Sequence, residues 1–101
     1  MQRELYNLIA DKIERDSPLL RIPLENIERW LAEDRPAPHR LKQWRDLIHE
    51  AQASDEGMVK FLALLRDQSE PAVHLKSFNV FPRVLSTIER RSVILKCAFS
   101  H

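Results

Sequence analysis

The chain has 101 residues, 44% hydrophobic and 31% charged, with a formal net charge of +1. That is enough for one modest core, and the balance excludes both a disordered tail and nucleic-acid binding by bulk electrostatics. A single glycine, Gly57, excludes the Gly-rich phosphate cradles and the glycine hairpins of β-rich folds, while a lone Cys97 excludes an internal disulfide and points to the cytoplasm.

Apolar spacing is helical along most of the chain. Leu5, Leu8, Ile9 and Ile13 make a first stripe, which Ser17-Pro18 ends because the residue before a proline leaves the α region. Leu24, Ile27, Trp30 and Leu31 make a second, with Pro23 in the first turn. Two prolines in Arg35-Pro36-Ala37-Pro38 break the pattern, and Pro38 opens a third helix with Leu41, Trp44, Leu47, Ile48 and Ala51 on its inner face. Ser54 is a candidate N-cap for a fourth, carrying Met58, Phe61, Leu62 and Leu65. Ser69-Glu70-Pro71 opens a short fifth helix to about Lys76. Asn79 to Pro82 is the least helical stretch. Ser86-Thr87-Ile88-Glu89 spells a capping box, so a sixth helix runs from Thr87 to about Ala98. The β-branched Val93-Ile94 would suit a strand, but no partner strand is visible. The expectation is an all-α compact bundle of five or six short helices, as a single domain over 1–101.

Catalytic signals are sparse. Cys97 and His101 share a helical face, but the chain ends at His101. The four histidines, His39, His49, His74 and His101, include no pair at i, i+3 or i+4. The carboxylate pairs Asp11/Glu14, Glu25/Glu28 and Asp55/Glu56 sit beside basic residues, as solvated helix faces do. The expectation is therefore no enzyme, no metal and no cofactor. No apolar run approaches the ~20 residues of a membrane span, so no membrane role is expected either.

Two binding readings stay open. Arg35 to Arg45 holds Arg35, Arg40, Lys42 and Arg45 without an acid, and Pro71 to His101 holds five basic residues against Glu89. Leu20 to Leu41 resembles the recognition helix of a helix-turn-helix domain, which would make Asn26 and Arg29 base readers and Arg40, Lys42 and Arg45 phosphate contacts. The turn before it is longer than usual and lacks glycine, and Glu25 and Glu28 would face phosphates. The other reading is a protein partner or second copy. The irregular segment Phe78-Asn79-Val80-Phe81-Pro82 would supply an apolar surface, partly exposed, together with Val93-Ile94-Leu95 of the last helix, Ile94 foremost.

Asn26-Ile27-Glu28-Arg29-Trp30-Leu31, then Ala37-Pro38-His39-Arg40-Leu41 and Trp44, resembles small bacterial all-helical proteins, some of them like the antitoxin half of a toxin–antitoxin pair. Phe81-Pro82-Arg83-Val84-Leu85 leading to Glu89-Arg90-Arg91 is similar to a second block in such proteins, in which a glycine is expected near Arg83; this chain has none there. The resemblance covers about half the chain and implies a binding or regulatory role without catalytic residues. The favoured expectation is a non-enzymatic intracellular interaction module, antitoxin-like, with a helix-turn-helix-like DNA-binding regulator as the alternative.

Overall fold

The computed structural model describes residues 2–99, and the side chains of residues 3–95. The Cys97 side chain and His101, considered above as a dyad, lie outside the described residues, as does the Phe99 side chain.

Six α-helices form close to where the apolar spacing places them: α1 Gln2–Arg15, α2 Arg21–Ala32, α3 Pro38–Ala53, α4 Asp55–Arg66, α5 Glu70–Lys76 and α6 Thr87–Phe99. No strand occurs among the described residues. The long turn after α1 holds a 3-10 turn, Ser17–Leu20, that runs directly into α2. Consequently α2 starts two residues before Pro23. Its buried side is Pro23, Asn26 and Ile27, whereas Leu24, Trp30 and Leu31 are only half-buried.

Each end has a local cause. At the end of α2, Asp34 adopts a left-handed φ of 55°. Its N–H donates to Leu31 O at 3.2 Å and that of Arg35 to Trp30 O at 3.3 Å, the paired bonds of a Schellman stop. The contact that usually joins the flanking apolar residues is made instead by the Arg35 guanidinium, 5.5 Å above the Trp30 ring. Ser54 both ends α3 and caps α4, its Oγ accepting from Gly57 N–H at 3.0 Å. That one-residue corner brings α4 against α3 so closely that a Cβ on Gly57 would lie 2.0 Å from Glu50 O.

The core joins Tyr6, Ile9 and Ile13 of α1 to Leu20, Ile27, Leu41, Trp44, Ile48, Phe61 and Leu65, and is closed by Val80, Phe81 and Val84. Phe81 is its aromatic centre, edge-on to Trp44 at 5.3 Å and to Tyr6 at 5.9 Å, and tilted against Phe61 at 6.3 Å. The Trp44 Nε1–H has no acceptor among the described residues, and that side chain is held by packing in the core, edge-on to Phe61 and Phe81. Arg66 ties α4 to α1 through Asp11 (2.7 Å) and Glu14 (3.2 Å). Among the described residues, the helix that α6 packs on is α1.

Candidate interaction surface

The segment between α5 and α6 does not form the exposed apolar surface expected of it. Val80 is 0% and Phe81 2% exposed. Phe78 is half-buried against the core, and only Pro82 of the apolar residues named there is exposed. The reason is that an irregular segment leaves backbone groups unpaired, and this one finds partners inside the fold. Asn26 Nδ2 donates to Val80 O at 3.2 Å and to Pro82 O at 2.9 Å. Tyr6 Oη donates to Lys76 O at 2.7 Å. With its carbonyls satisfied, the segment lies over the open end of the bundle and its aromatic ring fills it.

Asn26 therefore cannot read a base edge from this position. It is 1% exposed, and its Oδ1 accepts from the Arg29 guanidinium at 2.9 Å, so both expected readers are engaged with each other. Of the expected phosphate contacts, Arg40 donates to His74 Nε2 at 2.9 Å and Arg45 lies 3.8 Å from Glu28. Lys42 is exposed.

Among the described residues, the large apolar side chains that are exposed are Val59 of α4, standing alone at 66%, and three on α6. Ile88 is 81% exposed, Leu95 50% and Ile94 49%. Ile88 and Leu95, seven residues apart, share one face of the helix, and Ile94 lies beside them across Arg91. The opposite side is the attachment to the body. Val93 is buried there, and Lys12 Nζ of α1 donates to Glu89 Oε1 at 2.6 Å and to Val84 O at 2.8 Å. Glu89 also completes the capping box: it accepts from Ser86 N–H at 2.9 Å while its own N–H donates to Ser86 Oγ at 3.1 Å. The Lys12 ammonium, followed by the Ser86 N–H, holds the Glu89 carboxyl below the usual carboxylate range.

Sequence reasoning expected Val93, Ile94 and Leu95 at this surface; Ile94 and Leu95 are exposed, but Val93 is buried against the body, and Ile88 was missed. The signal for Ile88 was present in its seven-residue spacing from Leu95, on the far side of the helix from Val93. It also missed Lys76, which is 2% exposed although charged. Its Nζ donates to Leu65 O at 3.0 Å and to Asp67 O, closing the end of α4, and lies 5.5 Å from the Tyr6 ring centre. Among the described residues, no group of three or more His, Cys, Asp or Glu is placed to hold a metal ion.

No family model, curated protein or solved structure matches this chain.

Proposed function

We propose that the protein is a non-enzymatic interaction module whose docking surface is the outer face of α6. The observation that carries this reading is the exposure of Ile88, Leu95 and Ile94 on a helix whose helix neighbour, among the described residues, is α1. Burying one such aliphatic side chain is worth roughly 1.5–3 kcal/mol, so a partner that covered all three would gain several kcal/mol. Arg91, exposed between Ile94 and Leu95, and Arg90, exposed at the edge of that face, would add charge selectivity. The resemblance to antitoxin-like helical proteins supports a protein encoded beside this one as the partner, and the single cysteine supports a reducing cytoplasm as the place.

The test is co-purification of the wild-type chain and of the variant carrying Ile88→Glu and Leu95→Glu with the product of the adjacent gene, backed by sedimentation velocity. We expect a complex with the wild type, none with the variant, and unchanged helicity in both. A variant that keeps the partner, or a wild type that stays a lone monomer beside its neighbour's product, ends this reading.

A further inference from the structure

Between α1, the first turns of α6 and the segment 79–85 lies a cavity of about 80 Å³. Its walls are apolar, formed by Leu5, Ile9, Phe81 and Leu85, while its charged lining residues are Arg83 and Arg90. Both arginines are exposed, and no carboxylate lines the space with them. Among the described residues neither guanidinium has a hydrogen-bond or ion-pair partner. Arg91, which does not line the cavity, is likewise without one, whereas every arginine from Arg15 to Arg66 has one. The remaining polar side chain on the lining, Asn79, already accepts from the Phe81 N–H at 2.8 Å.

Arg83 occupies this position at a cost. Its φ is 78°, in the left-handed region, where a residue with a Cβ is disfavoured by about 1–2 kcal/mol and glycine is not. The strain is local to a residue that lines the cavity and whose charge has no partner among the described residues.

Two free cations, an apolar wall and a small volume define a ligand class. We propose that the cavity binds a short aliphatic carboxylate, with the carboxylate on Arg83 and Arg90 and the hydrocarbon stem on Leu5, Ile9 and Phe81. Guanidinium pairs with carboxylate through charge-assisted, fork-shaped hydrogen bonds. At ~30 Å³ per water-sized group the space takes about three such groups, which is the hydrocarbon stem alone, with the carboxylate at the mouth beside the exposed Arg83 and Arg90. Inorganic phosphate is disfavoured, because it has no hydrocarbon to cover Leu5, Ile9 and Phe81. The same chemistry is offered by a free small acid and by a chain terminus ending in a small aliphatic residue. The site stands whether or not the outer face of α6 has a partner.

The experiment is a titration followed by the methyl NMR signals of Leu5, Ile9 and Leu85, using isobutyrate, its neutral amide and inorganic phosphate. Isobutyrate is expected to shift these signals saturably, and the amide and phosphate are not. Arg83→Gly and Arg90→Gln should each weaken binding about tenfold, the loss of one charge-assisted hydrogen bond. Arg83→Gly relaxes the backbone, so its loss of binding is separable from unfolding. An acetylated peptide ending in valine, with its carboxylate free or amidated, distinguishes the sources. Tighter binding of the free-carboxylate peptide assigns a chain terminus, while exclusion of the peptide with isobutyrate retained assigns a free acid. The proposal is overturned if isobutyrate gives no saturable shift, if the amide or phosphate binds equally well, or if both variants bind as the wild type does.

Discussion

Three single residues show how little freedom the local backbone has. Gly57 is the only glycine, yet its φ is not in the left-handed region. It is needed because Glu50 O lies where a Cβ would go, and a backbone carbonyl in the last turn of a helix cannot move aside. Gly57→Ala should therefore destabilise the protein by about 2 kcal/mol, the scale of an overpacked core, despite alanine's better helix propensity. Urea denaturation measures this, and an alanine variant as stable as the wild type would show that α3 and α4 can separate freely. The left-handed positions are held instead by Asp34, Ala37 and Arg83. Arg83 stands where the resemblance leads one to expect a glycine, and the backbone there takes the glycine-type conformation without the glycine. Asn26 illustrates the opposite case. Its polarity on a helix suggests a surface reader, but its amide holds the carbonyls of a segment 54 and 56 residues away.

At the scale of elements, α6 differs from the other helices. The bundle of α1–α4 is closed by α5 and by the Phe81 segment, while α6 is attached through Val93, the Lys12–Glu89 ion pair and its own cap. Losing an N-cap hydroxyl costs about 1 kcal/mol, so Ser86→Ala should act on this helix first. Native-state hydrogen exchange should show faster exchange of the α6 amides with α3 and α4 unaffected. Equal loss of protection in every helix would mean that α6 opens only with the whole molecule. Acid acts on the same joint. The Glu89 carboxyl is held below its ordinary value of 4.5, so its contribution is present above that pH and is lost as the pH falls through the lowered value.

Across the whole molecule, alkaline pH probes the contact that joins α1 to the end of α5. Burial raises the Tyr6 phenol well above its ordinary value of 10.0. Above pH 10 the unfolded chain gives up this proton while the folded chain keeps it, so stability falls as pH rises, by up to about 1.4 kcal/mol per unit. Lys76 acts in the other direction. Burial lowers its ammonium below the ordinary 10.5, against the opposing pull of Asp67, so in the window beneath 10.5 stability rises with pH. The two windows separate above pH 10.5, where Tyr6 alone acts. Denaturation at pH 10.5, 11 and 11.5 should show a decline in the wild type that Tyr6→Phe flattens, with about 1 kcal/mol lost at neutral pH from the missing bond to Lys76 O. Parallel pH profiles for the two proteins would remove Tyr6 as the cause.

The class of fold, the number of helices and their caps were legible in the linear chain, because they depend on residues within a turn or two of each other. Ser54, Pro38, Ser86 and Glu89 act where they stand, and the 3.6-residue period needs no distant information. The fate of the apolar residues outside that period was decided only by tertiary packing. Phe81 and Ile88 are both large and apolar near one end of the chain, yet one is the centre of the core and the other is 81% exposed. What separates them is whether the nearby backbone finds partners for its carbonyls and whether an opening in the bundle has the shape of a ring. Asn26 and the aromatic cluster supply both for Phe81, and neither can be read from its neighbours in sequence.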